Sequence, residues 1–360
     1  MTGEAAGAQE IALSEADVLA TGASIVRAQE ASGAIAWPDG HVDVWDHVEC
    51  AMALSACGLR EPARRAYAWL QATQRTDGSW PRSTAGGTVT DPAAESHHAA
   101  YAAVGTWHEY LVTGDEGHAL TMWPTVRRAV EWVLGLRTPR GEVMWERDAA
   151  GAPGTCALLS GCSSIHLSLR CAVALAKLAD EPRPDWELAA DRLGHLVVRH
   201  PEAFADKSRF AMDWYYPVLG GAVRGEDAAV RLLASWDTFV VPRLGVRCVS
   251  DQAWVTAAET CELVISLDAC GLRERAAEVF ASIQHLRHAD GSYWTGWQFA
   301  NEALFPSERP SWTAAAVVLA ADALTGFSSG AGIFRDAADE AGQPGDRIAC
   351  GCEPPGRAGR

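Results

Sequence analysis

Along most of the chain, apolar residues recur at three- and four-residue spacing, the period of one helix face. Val48-Glu-Cys-Ala-Met-Ala-Leu carries this pattern, and Gly58 supplies a helix stop after it. Glu61-Pro62 then restarts a helix, with proline tolerated in the first turn. The same reading predicts about twelve helices, over residues 14–31, 44–58, 61–74, 93–113, 115–136, 163–180, 185–200, 212–223, 225–240, 251–271, 274–288 and 310–325. The span 212–223 is interrupted by Pro217 and Gly220-Gly221.

Two kinds of helix alternate. Ala99–Gly105, Cys171–Leu178 and Thr313–Ala321 are small and apolar nearly all round, which suits an inner ring. Glu61–Arg75 and Arg273–Arg287 carry Arg and Glu on one face, which suits an outer ring. A repeat underlies the alternation. Glu49–Ser79 matches Glu262–Ser292 at a constant offset of 213 residues, sharing Cys-Gly-Leu-Arg-Glu and Asp-Gly-Ser, each followed by an aromatic residue, Trp80 or Tyr293. Such self-similarity marks a stacked structural unit. The expectation is an all-α fold, an (α/α)6 toroid of six hairpins forming one domain over 1–325, with an open superhelical solenoid as the alternative. The long loops 75–92, 137–162 and 289–309 follow outer helices and would gather at one end, the expected active face. Beyond residue 326, Gly, Ser, Asp and Pro dominate, so 326–360 is expected to be a disordered tail.

Composition narrows the function. The net charge of −16 opposes binding to nucleic acid or an anionic membrane surface, both polyanions. No run of eighteen apolar residues appears, so no integral membrane contact is expected. The acidic start Met1-Thr-Gly-Glu-Ala lacks a signal-peptide pattern, and a cytoplasmic location is expected. The ten cysteines include no Cys-x-x-Cys and read as reduced, mostly buried thiols. Tryptophan stands out at 15, against 6 Tyr and 8 Phe. Its polarisable face stacks on sugar C–H groups or stabilises cations.

Two families share this signature. Gln74-Arg-Thr-Asp-Gly78-Ser-Trp80 resembles the Gln/Trp motif of the squalene cyclases and prenyltransferases, also α/α toroids, in which it ties neighbouring hairpins together. The second repeat replaces the leading Gln with Arg287, and no Asp-x-Asp-Asp cluster is found. The second resemblance, over about 40–325, is to the six-hairpin, glucoamylase-like glycoside hydrolases. It is carried by Trp107-His-Glu-Tyr-Leu-Val-Thr-Gly-Asp115, Met122-Trp123-Pro124, Glu131-Trp132-Val133, Gly141-Glu-Val-Met-Trp145-Glu146, Ser163–Ala172 and Pro310-Ser-Trp312-Thr-Ala-Ala. The family's Trp-x-Arg-Asp is matched only loosely, by Val44-Trp45-Asp46-His47. This resemblance implies an inverting hydrolase with Glu146 as general acid and Glu302 or Glu308 as general base.

Glycoside hydrolysis needs one protonated carboxyl and one carboxylate across the scissile bond. A glutamate beside Trp145 would be partly desolvated, which suits an acid. Ordinary loop charge is the competing reading for all three glutamates, and for Glu302 and Glu308 also N-capping of the helix before Trp312. Asp43, Asp46 and Asp251 begin inner helices, where they would cap the helix or contact a sugar hydroxyl. Trp45, Trp80, Tyr101, Trp145, Tyr215, Trp254, Trp294, Trp297 and Trp312 are the candidate aromatic lining. His97-His98 lies near Glu95, but adjacent helical positions point two ways, so His97 reads as substrate-binding or packing and no metal site is assigned. No cofactor is implied. The expected partner is a small-molecule or oligosaccharide substrate. The alternatives are an isoprenoid-handling toroid, with tryptophans facing carbocations, and a non-catalytic toroid that binds glycans or proteins.

Overall fold

The computed structural model describes residues 13–336. Met1–Ala5, Cys350, Cys352 and the rest of the expected tail beyond Asp336 lie outside the described residues. Six helices stand in a closed inner ring: α2 (Val44–Ala56), α4 (Ser96–Thr113), α6 (Leu159–Leu178), α8 (Ala211–Leu219), α11 (Ala257–Ala269) and α13 (Ser311–Thr325). Each packs on the next, and α13 returns to α2. Around them lie α1 (Glu15–Ala28), α3 (Arg60–Thr73), α5 (Glu116–Leu134), α7 (Pro184–Arg199), α9 (Gly225–Ala234), the short α10 (Trp236–Phe239) and α12 (Arg273–Ser282). This is the (α/α)6 toroid, not an open solenoid.

The inner helices are apolar all round because neighbours cover every face. In α2 every residue except Asp46 is buried, and α13, built largely of Ala, Val and Leu, is buried along its length except at Trp312 and Thr325. The outer helices keep one polar face to water. α6 is long and apolar enough to cross a membrane, but 89% of its apolar window is buried inside the ring.

Some boundaries differ from expectation. The span 251–271 begins as a strand over Trp254–Thr256, whose aromatic and β-branched residues suit a pleated surface, and turns helical only at Ala257. The span 225–240 breaks at Ser235. Residues 326–336 are packed rather than tail-like. Gly326 ends α13 in the left-handed conformation, Ser328 donates from its backbone to Asp322, and Ile333 and Phe334 are buried in the short α14 (Ile333–Asp336). Arg335 pairs with buried Asp268 at 2.7 Å. Two aromatic or aliphatic side chains and an ion pair outweigh the local Gly/Ser composition.

The Asp-Gly-Ser repeat is a clasp between outer helices. After α3, Asp77 accepts from the backbone N–H and hydroxyl of Ser79, and Gly78 has φ +97°. A Cβ on Gly78 would stand 2.2 Å from the carbonyl oxygen of Arg128 in α5, so only glycine permits this approach. Gln74 reinforces the joint by donating to the Thr125 carbonyl at 2.9 Å. After α12 the same turn abuts α1, with Gly291 against the Ala20 carbonyl and Arg287 paired with Asp17 at 2.8 Å. A related turn after α1 places Gly33 against Arg65 of α3, with Gln29 donating to Pro62. The resemblance to the Gln/Trp motif is therefore structural.

Short strands decorate the end where the inner helices begin. β1 (His41–Val42), β2 (Ser83–Ala85) and β3 (Thr88–Asp91) form one antiparallel sheet. β4 (Ala94–Glu95) pairs with β5 (Glu146–Arg147), bringing Glu95 opposite Glu146. β6 (Val240–Val241), β7 (Gly245–Arg247), β8 (Trp254–Thr256), β9 (Gly296–Gln298) and β10 (Ala303–Leu304) form a third sheet. The three long loops gather at this end, as expected.

Candidate active site

The first turns of all six inner helices surround a cavity of about 630 Å³. Asp43, Trp45 and Asp46 reach it from the start of α2, Glu95, His97 and His98 from α4, Ser160 and Gly161 from α6, Met212 and Tyr216 from α8, Glu259 and Glu262 from α11, and Trp312 from α13. Six helix N-termini converge here, and their partial positive charge favours the carboxylates gathered in the funnel.

Asp43 caps α2 by accepting from the Asp46 backbone N–H at 2.9 Å. Asp46 follows one turn in and accepts from the Trp37 indole at 2.7 Å. Burial, reinforced by Asp43 and Glu49, pushes the Asp46 carboxyl well above the usual carboxylate range. Trp45 stacks on Tyr101, with centroids 4.0 Å apart and planes 11° apart. Below this layer Tyr101 donates to Glu49 at 3.2 Å, and burial together with Asp43 pushes Glu49 up to about 7. Tyr215 and Tyr216 both donate to Glu262. Burial and the charge of Glu49 nonetheless raise the Glu262 carboxyl.

The repeat extends three residues upstream of the segment that first reveals it. Asp46 and Glu259 stand 213 residues apart, as do Glu49 and Glu262. Two acid pairs with i, i+3 spacing thus occupy equivalent places on α2 and α11, the helices flanking α13. Glu259, Glu262, Tyr216, Met212 and Glu95 were not singled out by sequence reasoning, because inner-ring helices read as featureless apolar stretches. Extending the repeat upstream is the signal that finds the α11 pair.

Of the sequence candidates, Asp43, Trp45, Asp46, His97 and Trp312 line the cavity, and Tyr101 and Tyr215 lie beneath it. Glu146 is outside the lining. Its carboxylate is held by Arg82, which also donates to Glu95 at 2.6 Å and Asp91 at 2.8 Å. Trp145 gives its indole N–H to Glu95 at 3.0 Å rather than shielding Glu146. Burial opposes ionisation of Glu95, but His98, His97, Trp145 and Arg82 outweigh it and hold the carboxyl below its ordinary value.

The remaining candidates also lie apart. Glu302 is exposed in the β9–β10 turn at φ +49°. Glu308 is half-buried outside the lining, its carbonyl accepting from the Thr295 backbone at 3.1 Å. Asp251 does not open a helix; it is exposed and paired with Arg209 at 2.9 Å. Trp80 is buried, donating to the Leu70 carbonyl at 3.0 Å. Trp254 donates to the Phe305 carbonyl at 2.6 Å, Trp294 lies under Arg309, and Trp297 packs edge-on to His285. The third sheet thus absorbs tryptophans expected in the cleft.

A closed six-hairpin ring with an acidic, aromatic funnel at the N-terminal ends of its inner helices is the architecture of sugar-processing toroids. Solved structures share this fold. A glycosidase variant in complex with glucose matches with a TM-score of 0.67 at 19% identity, covering 87% of this chain and 98% of that one. A GH63 mannosylglycerate hydrolase of Thermus thermophilus in complex with glucose matches with a TM-score of 0.61 at 13% identity, covering 84% and 99%. At these identities the likeness establishes the fold. No family model matches the chain. The MMP endo-(1,4)-3-O-methyl-alpha-D-mannosidase of Mycolicibacterium hassiacum is 54% identical over 316 residues, 88% of each protein. The chain belongs to the family of that mannosidase, and its function is of the glycoside hydrolase kind.

Proposed function

We propose that this protein is an endo-acting glycoside hydrolase that cleaves 1,4-linked 3-O-methyl-α-D-mannoside chains, with Asp46 as general acid and Glu259 as general base. The substrate class follows the activity named for the 54% identical relative. The catalytic pair rests on one observation: burial raises both Asp46 and Glu262 among the carboxylates lining the funnel, but Glu262 is tied up by Tyr215 and Tyr216, which leaves Asp46 as the raised acid, while Glu259 is half-buried in the first turn of α11. A carboxyl kept protonated near neutral pH can donate to the glycosidic oxygen as the C1–O bond breaks. Glu259 would take a proton from the water that attacks C1 on the opposite face, giving inversion.

Asp43 is placed to hydrogen-bond a sugar hydroxyl. Trp45 and Trp312 offer faces for the pyranose ring and its methyl ether. Net charge and the eight free cysteines among the described residues support work in the cytoplasm.

The test is incubation with a defined oligosaccharide of 1,4-linked 3-O-methyl-α-mannose, followed by mass spectrometry and by proton NMR of the newly released anomer. Internal cleavage with β-anomer release, lost in both Asp46→Asn and Glu259→Gln, is expected. Full turnover in either folded variant overturns the assignment, and no cleavage of any α-mannoside overturns the activity.

A further inference from the structure

Glu95, His97 and His98 form the one group of three His, Cys, Asp or Glu side chains among the described residues whose donor atoms all converge, within 4.8 Å of one another. Sequence spacing suggested that the two imidazoles diverge. They do not, because both sit in the first turn of α4 and Glu95 precedes it in β4, so each ring folds back toward the same carboxylate. The ring centroids are 4.5 Å apart. Nε2 of His97 lies 3.5 Å and Nε2 of His98 lies 3.4 Å from the same atom, Oε2 of Glu95.

These separations are long for hydrogen bonds to a carboxylate, which cluster near 2.7–2.9 Å. They match the edge of a tetrahedron around a zinc-sized ion: ligand bonds of 2.0–2.1 Å put neighbouring donors roughly 3.4 Å apart. Neither Nδ1 has a protein partner, so the convergence on Oε2 is the polar arrangement these rings display. The carboxylate is oriented from behind, by Arg82 on Oε1 and by the Trp145 indole on Oε2.

We propose that Glu95, His97 and His98 are a binding site for a borderline divalent cation of the zinc type, set in the funnel wall with its remaining coordination position open to the cavity. Two imidazoles and one carboxylate are the donor set of an open zinc site, and calcium or magnesium, which prefer oxygen ligands, would be bound poorly. The ion's role is to take an oxygen of the sugar in the funnel, and that role, unlike the site, rests on the hydrolase reading.

The site is tested without reference to activity. The full chain, stripped with a chelator, is dialysed against zinc and separately against cobalt(II), and bound metal per chain is measured by mass spectrometry of the ion. One zinc per chain is expected, with a cobalt(II) visible spectrum of tetrahedral intensity. Binding should weaken in His97→Ala and in His98→Ala by more than the roughly 10–100-fold typical of a lost outer-shell partner. His41→Ala, at another histidine lining the cavity, should bind as the parent does. Circular dichroism checks folding, and the parent's cobalt spectrum stands even where a variant fails to fold. Sub-stoichiometric zinc, an octahedral cobalt spectrum, or undiminished binding in folded His98→Ala overturns the proposal, whatever the enzyme does to mannosides.

Discussion

Asp46 and Glu259 occupy the same position of the internal repeat and line one cavity from the first turns of two inner helices. A structural unit used twice has supplied two carboxylates whose surroundings differ. Asp46 lies beside Asp43, Glu49 and the Trp37 indole and is raised by burial, whereas Glu259 follows β8 at the head of α11. Divergence of environment between equivalent acids is how one site obtains an acid and a base.

Asp46→Asn and Glu259→Gln should each lower kcat/KM by roughly 10²–10⁴-fold, the range of general acid or base catalysis. Glu146→Gln should cost less than about tenfold, because Glu146 lies outside the cavity lining and engages Arg82. Reducing-end release against a methylated mannoside, with thermal midpoints as folding control, separates them. A larger loss in Glu146→Gln than in Asp46→Asn would restore Glu146 as the acid.

Glu49 sets a pH dependence of stability. Its carboxyl is raised to about 7 in the fold from an ordinary 4.5, so the folded state holds the proton more tightly. Its contribution is therefore fully present below pH 4.5 and fades as pH rises through 7. Glu49→Gln removes the titration. Relative to the parent it should gain up to a few kcal/mol on going from pH 5 to pH 8, read from urea midpoints at the two pH values. A parent–variant difference that stays constant across this interval would remove Glu49 as its source.

The clasp turns predict a contrast among glycines. Gly78→Ala and Gly291→Ala would drive a Cβ to 2.2 and 2.4 Å from a carbonyl oxygen of the next outer helix. Each should cost more than about 2 kcal/mol. Gly58→Ala has φ +70° and nothing within 4 Å, so it should cost about 1 kcal/mol from backbone strain alone. Chemical denaturation of the three variants checks the order.

Arg170 and Asp191 form a buried ion pair at 2.6 Å between α6 and α7. Asp191→Ala leaves a buried guanidinium uncompensated and should destabilise by about 3–5 kcal/mol. Replacing both partners, as Arg170→Met with Asp191→Leu, should recover much of that loss, which denaturant midpoints of single and double variants will report.

Fold and site were unequally legible in the sequence. Gly58, Pro62 and the three-four spacing bound α2 and α3 to within two residues, because local capping and periodicity act on the chain directly. Trp254–Thr256 escaped as a strand because one of its two pairing partners, Gly296–Gln298, is distant in sequence. The site was partly legible: Asp43, Trp45, Asp46, His97 and Trp312 mark helix starts that the pattern locates. Glu302 and Glu308 matched the place, just upstream of the last inner helix, that the family resemblance implies, but the β9–β10 turn and the Thr295 contact hold them outside the cavity lining. Glu262 could not be singled out locally, since its surroundings are made by Tyr215 and Tyr216 from a different hairpin.

The clasp between Gly291 and Ala20 joins segments far apart along the polypeptide. During synthesis α1 emerges first, yet the turn that seats against it is made more than 260 residues later. Until then α2 and α13 lack each other, and the first and last inner helices expose apolar flanks. A shortened product that stops before α12 would be a broken hoop with two sticky edges, prone to pairing with another such fragment.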